Sequence, residues 1–287
     1  MSSHQITEHD IAPAIGAALR GIDLAGDLSA PVVQTIKDRL RDRLVVCMRG
    51  QKLSDPALLA FSRRLGELDP PGPNPYGAPF LPETPEINVI SNIIENGKPI
   101  GNLGAGEAVW HADMTYVDVP PQAAVLYALE IPPEGGATYF ANMCAAYDAL
   151  PATLKSAVAG KLAVHDASRN SAGMLRKGYE PVSDPRKTVG ATHPLSWRHP
   201  ATGRTCLYLG RRTNSYVVGM PLEESEALLD ELWSRATRPE FVMKHEWRVG
   251  DVLIWNNLCT MHRRDPFADS ARRILHRTQI RGDVAVR

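Results

Sequence analysis

Apolar positions recur along this chain in two rhythms, and the rhythm decides which element each segment is expected to form. Between Pro31 and Leu44, apolar Val32, Val33, Ile36, Leu40 and Leu44 return every three or four residues with Lys and Arg between them, which predicts an amphipathic helix. Ser54-Asp55-Pro56 supplies a capping hydroxyl and a proline at the start of a second helix, and Leu58, Leu59, Phe61 and Leu65 form its apolar stripe. A third helix is expected over 147–158. The clearest is Leu222–Ala236, with Leu228, Leu229, Leu232 and Trp233 on one side.

Elsewhere the rhythm shortens to two, or becomes a short β-branched run, and predicts strands at 44–48, 86–91, 123–130, 137–142, 206–209, 241–248, 252–256 and 273–280. Val249-Gly250-Asp251 predicts a tight hairpin between the sixth and seventh of these. Two polar stretches rich in Pro or Gly, residues 69–85 and 168–194, are expected to be mobile loops or lids. No repeat or linker divides the pattern, so residues 1–287 are read as one domain, mainly β with flanking helices.

Composition narrows the function. Lys plus Arg and Asp plus Glu both number 32, so no net field draws the chain to nucleic acid or to an anionic membrane. The longest apolar runs are of strand length, far short of the roughly 20 residues of a membrane span. The first residues carry no secretory pattern, and a cytoplasmic location is expected. Pro (23) and Gly (22) are frequent enough to require many turns, in keeping with short strands. Cys47, Cys144, Cys206 and Cys259 lie tens of residues apart without a CxxC pair, and are expected to be buried, inert thiols.

The chemistry concentrates in two segments. In Trp110-His111-Ala112-Asp113, a histidine and a carboxylate stand at i and i+2, and on an extended strand both would share one face. Alone, such a pair reads as readily as a hydrogen-bonded pair of side chains. A third ligand, His262, would complete a facial set of two imidazoles and one carboxylate, which suits non-heme Fe(II) with positions left open for a cosubstrate and oxygen. Structural zinc would close its tetrahedron instead, usually with Cys.

Eleven residues after His262 comes Arg273, in Arg272-Arg273-Ile274-Leu275-His276-Arg277. On a strand, Arg273, Leu275 and Arg277 share a face, so two guanidinium groups could address one cavity and pair with carboxylates. The alternative is a row of solvated charges on a sheet edge.

Over about residues 21–282 the sequence resembles the taurine / dichlorophenoxyacetate dioxygenase family of Fe(II)- and 2-oxoglutarate-dependent oxygenases. The resemblance lies in Met48-Arg49-Gly50-Gln51, the Trp-His-x-Asp block, Pro132-Pro133-Glu134-Gly135-Gly136-Ala137-Thr138 and His199-Pro200-Ala201-Thr202-Gly203-Arg204. It continues through Gly250-Asp251 to Trp255 and His262, and ends in Ala271-Arg272-Arg273-Ile274-Leu275-His276-Arg277. It implies a double-stranded β-helix, a cupin-like jelly roll. It makes His111, Asp113 and His262 the iron ligands, and gives Thr138 and Arg273 the distal carboxylate of 2-oxoglutarate. Arg277 would meet an anionic group of the substrate, Tyr116 would stand near the substrate pocket, and Glu107 would attract a cationic group there. The reaction implied consumes O2 and 2-oxoglutarate, yields succinate and CO2, and hydroxylates a C–H bond of a small, anionic organic substrate; where the hydroxylated carbon bears an ether, sulfonate or sulfate oxygen, the product would cleave. Relatives occur as dimers or tetramers, so a homo-oligomer is expected.

The chain also departs from the pattern. Leu68-Asp69-Pro70-Pro71-Gly72 and Gly104-Ala105-Gly106-Glu107-Ala108 replace segments that complete a sulfonate grip in taurine-oxidising relatives, and Asn256 stands where those relatives carry Asp. Two competing functions remain at this stage: a Zn- or Mn-dependent hydrolase or isomerase on a cupin-like barrel, which leaves Arg273 and Thr138 without a role, and a binding protein without turnover.

Overall fold

In the computed structural model the described residues are 6–72 and 77–287, so residues 73–76 of the expected 69–85 loop lie outside them. The fold is mostly sheet. The larger sheet runs Thr7–Asp10, Ala17–Arg20, Val45–Met48, Val252–Asn256, Ala123–Glu130, Ile274–Ile280, Asn88–Ser91 and Asn102–Leu103, with Leu68–Asp69 also pairing to Ile274–Ile280. The smaller sheet runs Val242–His245, Thr138–Asn142, Thr260–Arg264 and Ala108–His111.

Period-two alternation explains how the larger sheet is filled. On Ala123–Glu130, residues Ala124, Leu126 and Ala128 pack with Phe140 and Met261 of the smaller sheet, whereas Ala123, Val125 and Tyr127 pack against the helix side. Leu253 and Trp255 join the first core; Val252 and Ile254 join the second. Helices Ala30–Arg43 and Asp55–Leu65 close that second side with Val33, Ile36, Leu58, Leu59 and Phe61. As the sequence predicts, Ser54 caps Asp55–Leu65, its hydroxyl accepting from the Ala57 N–H at 3.3 Å.

Three expectations need correction. The helix expected over 147–158 is two short helices, Met143–Asp148 and Ala152–Val158, because Pro151 lacks the N–H that would continue the first. Val249-Gly250-Asp251 does not close a hairpin. Val242–His245 pairs with Thr138–Asn142 in one sheet and Val252–Asn256 with Ala123–Glu130 in the other, so the turn passes the chain between sheets. Lastly, the first part of the 168–194 stretch, residues 168–176, is not a free lid. Ser168, Asn170, Ser171 and Arg176 are buried, Arg169 bridges Leu175, and the Ser171 carbonyl accepts the Val109 N–H at 3.0 Å, fixing the segment beside the strand that carries His111.

Candidate active site

His111 ends its strand and lies opposite His262 in the register of the smaller sheet, so pairing alone brings the two imidazoles together, with ring centroids 4.1 Å apart. Asp113 does not share that strand. The chain turns after His111, Met114 takes a left-handed φ of 51°, and the turn swings the carboxylate back to the imidazoles. His111 Nε2 is 3.7 Å from Asp113 Oδ1, and His262 Nε2 is 3.9 Å from Asp113 Oδ2. One ligand atom from each of the three residues lies within 4.8 Å of the others, and all three residues are buried. His111 Nδ1 donates to the Val109 carbonyl at 2.7 Å, which fixes the ring with Nε2 toward the cluster. Burial disfavours the Asp113 carboxylate, but Arg277 and the two histidines outweigh it and hold its pKa well below the usual range. Burial, reinforced by His111, pushes His262 well below its ordinary value, so it is a neutral imidazole at neutral pH. Two imidazoles and one ionised carboxylate form a donor set that suits a divalent metal.

Two cavities meet at this cluster and share His111 and Arg277. The smaller, about 460 Å³, is lined by Thr138, Phe140, Trp255, His262, Arg264 and Arg273. Arg273 is 2% exposed, and its Nε and Nη1 find no hydrogen-bond partner among the described residues. A buried guanidinium with idle donors is costly unless an anion meets it. Burial and the neighbouring Arg264 push its pKa well below its ordinary value, the direction expected of a cation that lacks its counter-ion. Thr138 Oγ1 accepts from Trp247 Nε1 at 2.9 Å, which commits the oxygen as acceptor and frees the hydroxyl proton for an anion in the cavity. Arg264, opposite Thr138 in register, is buried and pushed down to about 10. Its Nη2 donates to the Leu103 and Gly106 carbonyls.

The larger cavity is lined by Asp113, Tyr116, Asn88, Asn170, Arg176 and Arg277, among others. The predicted alternation holds. Arg273, Leu275 and Arg277 face inward, while His276 and Thr278 face the Asp55–Leu65 helix, bonding Asp55 Oδ1 and Ser62 Oγ, each at 2.7 Å. Ile274–Ile280 is an interior strand, so the sheet-edge alternative falls. Arg277 Nη1 contacts both Asp113 oxygens, at 2.8 and 3.0 Å. Tyr116 lines this cavity. Glu107 does not: it is exposed outside both cavities, 3.7 Å from Arg263.

Several residues of the site escaped the sequence reading. Asn257, fully buried, clamps the main chain of Asp113, while Asn256 caps the following turn by accepting from the Leu258 and Cys259 N–H groups at 3.0 and 3.1 Å. Adjacent Asn residues are a turn signal, but only the fold shows which of the two reaches the metal-ligand chain. Trp247, Arg264, Asn170 and Arg176 carried no local signal. The cysteines are all buried, as expected, yet Cys144, Cys206 and Cys259 converge to within 4.8 Å, a proximity that their wide spacing concealed.

A His-Asp-His cluster beside a buried, unpaired arginine, on a scaffold of two facing sheets, is the constellation of a 2-oxoglutarate-dependent dioxygenase. Comparison with known proteins agrees. The family described as taurine catabolism dioxygenase TauD, TfdA matches residues 7–279, and the chain belongs to that family. The alpha-ketoglutarate-dependent 2,4-dichlorophenoxyacetate dioxygenase of Cupriavidus pinatubonensis is 34% identical, over 98% of this chain and 99% of that protein. The alpha-ketoglutarate-dependent sulfate ester dioxygenase of Pseudomonas putida is 31% identical, over 98% and 91%. The crystal structure of a taurine dioxygenase from Burkholderia xenovorans matches with a TM-score of 0.78 and 33% identity, covering 98% of this chain and 90% of that one. Among the described residues no helix is long and apolar enough to cross a membrane.

Proposed function

We propose that the chain is an Fe(II)- and 2-oxoglutarate-dependent dioxygenase that hydroxylates a C–H bond of a small organic anion, on a double-stranded β-helix formed by the two sheets. The observation that carries this reading is the buried, unpaired guanidinium of Arg273 beside the His111, Asp113 and His262 cluster. The three side chains would hold iron(II). When bound, that ion supplies the redox chemistry coupling loss of CO2 from 2-oxoglutarate to oxidation of the substrate.

The chain's own contribution is position, charge and dryness. Arg273 offers two idle donors to the far carboxylate of 2-oxoglutarate, and Thr138 adds a hydroxyl proton that Trp247 orients. Phe140, Trp255, Leu126 and Ile90 wall that cavity with apolar surface, which excludes water and strengthens the ion pair. The larger cavity, open to Asp113 and Arg277, would take the substrate. The sulfate ester and phenoxyacetate substrates in the relatives' names are consistent with an anionic substrate, and with cleavage where the oxidised carbon bears an oxygen substituent. A Zn- or Mn-dependent hydrolase would leave Arg273 buried without a counter-ion, which counts against it.

Anaerobic addition of Fe(II) and 2-oxoglutarate should produce a weak visible charge-transfer band that His262→Ala or Asp113→Ala abolishes. Succinate should follow on aeration with a substrate from a panel of sulfate esters, sulfonates and aryloxyalkanoates. Absence of both band and succinate would overturn the reading.

A further inference from the structure

Three arginines and two carboxylates line the larger cavity, and the pairing leaves one cation over. Arg277 is committed to Asp113 through Nη1. Arg211 is committed to Asp166, with Nη2 3.1 Å from Oδ2, while Asn214 Nδ2 and the Ser168 N–H complete that carboxylate at 3.0 and 2.7 Å. Arg176 has no carboxylate partner among the described residues. The remaining residues, 1–5 and 73–76, include no Asp or Glu, so they cannot supply one.

Arg176 is nevertheless only 9% exposed. Its Nη1 donates to the Ala167 carbonyl at 2.7 Å, its guanidinium lies 4.0 Å over the Tyr116 ring, and its buried Nε, like those of Arg211 and Arg277, has no partner among the described residues. Held in this way, the side chain is pre-organised, and little further ordering is needed when an anion binds. A second idle donor stands in the same wall. Asn170 Oδ1 accepts from the Ala172 and Met174 N–H groups, both at 3.0 Å, which fixes the amide, while its buried Nδ2 has no partner among the described residues. A buried cation and a buried amide donor that both lack partners, on one segment and lining one cavity, describe an incomplete oxyanion site.

We infer that Arg176, assisted by Asn170, is a group that grips the substrate's anionic head. This rests on the reading above and deepens it: the substrate class is a small organic molecule bearing a terminal oxyanion (carboxylate, sulfate or sulfonate), held against the 168–176 wall so that its carbon skeleton points toward the metal cluster. Tyr116 lies under the Arg176 guanidinium in the same cavity. Gly72 lies on that tyrosine so closely that a Cβ there would overlap its hydroxyl, which bounds the cavity on the side of the 69–85 segment.

The test separates charge from packing. Protein loaded with Mn(II) and 2-oxoglutarate under argon is titrated calorimetrically with 2,4-dichlorophenoxyacetate and hexyl sulfate, and with the neutral 2-(2,4-dichlorophenoxy)acetamide, in wild type, Arg176→Gln and Arg176→Lys. Arg176→Gln should weaken at least one of the anions about tenfold or more, as loss of a charged hydrogen bond does, while the amide moves less than about twofold and Arg176→Lys recovers part of the loss. Whichever anion responds distinguishes carboxylate from sulfate. Equal weakening of anion and amide would reduce Arg176 to a packing role, and unchanged anion affinity, or no anion binding to wild type at millimolar concentration, would overturn the inference. The reading of the reaction is judged separately, by whether wild type binds 2-oxoglutarate. Inorganic sulfate titrated into the metal-free protein reads Arg176 even where it does not.

Discussion

The side chain of Asn257 grips the main chain of Asp113 from both sides: its Oδ1 accepts the Asp113 N–H at 2.7 Å, and its Nδ2 donates to the Asp113 carbonyl at 2.9 Å and to the Pro121 carbonyl at 2.9 Å. The carboxylate that completes the metal set sits on a turn with a left-handed residue immediately after it, and the amide holds that turn in place. Asn257→Ala should therefore lower metal affinity by about 10- to 100-fold, the usual effect of losing a residue that supports a ligand. It should also lower the melting temperature, because buried polar groups are left unpaired. Asn257→Asp keeps the acceptor and loses the donor, and should fall between the two. Anaerobic titration with Fe(II) or Mn(II) measures the first effect. Unchanged affinity in a folded Asn257→Ala protein would mean that the turn holds itself.

Arg273→Ala should separate the cosubstrate from the metal. The guanidinium lines the smaller cavity and makes no hydrogen bond or ion pair to the metal-binding side chains, so 2-oxoglutarate affinity should drop by about a hundredfold while metal affinity stays within a few-fold. Direct titration of each ligand decides the matter, and comparable losses of both would contradict the role given to Arg273.

Trp247 acts on the same ligand through Thr138. With its indole N–H donating to Thr138 Oγ1 at 2.9 Å, the hydroxyl proton is directed away from the tryptophan. Trp247→Phe keeps the ring but frees the hydroxyl to rotate. The expected result is a rise of about three- to tenfold in the KM for 2-oxoglutarate, in line with about 1 kcal/mol for one hydrogen bond, with little change in metal affinity. An unchanged KM would show that Thr138 needs no orientation.

The sequence exposed those parts of the site that lie on regular strands. Arg273 and Arg277 could be put on one face because period two fixes which side chains share it, and both line the smaller cavity from the interior strand Ile274–Ile280 and the residue just before it; His262 was placed by the resemblance. Asp113 was assigned to the site on the wrong geometry: an extended strand was expected, whereas a turn delivers the carboxylate. Arg176 and Asn170 were hidden for a related reason. A polar, Gly-containing stretch reads as a mobile loop, since nothing local reveals that its polar side chains bond back to their own backbone and become a buried wall. The convergence of Cys144, Cys206 and Cys259 was equally invisible, because it depends on a helix start, a strand and a turn that meet only in the folded core.

His165 should make the protein sensitive to acid. It is buried, both ring nitrogens lack hydrogen-bond partners, and its ring neighbours are His193 at 5.1 Å and Tyr208 at 5.6 Å, neither of which can neutralise an imidazolium. Burial, with His193 and Arg211 adding to it, holds its pKa well below the ordinary value of 6.5. Above that value the residue is neutral in the folded and unfolded chains alike and contributes no pH dependence. As pH falls below it, the unfolded chain takes up a proton that the folded protein refuses, so stability declines by up to about 1.4 kcal/mol per pH unit until the depressed pKa is reached. His165→Leu removes that proton from the balance. Urea unfolding of wild type and His165→Leu at pH 7.5 and 5.5 should show wild type losing about 1 kcal/mol more over the interval, with the other histidines cancelling between the two proteins. Parallel losses would show that His165 finds a partner when protonated, and would remove it as a source of acid sensitivity.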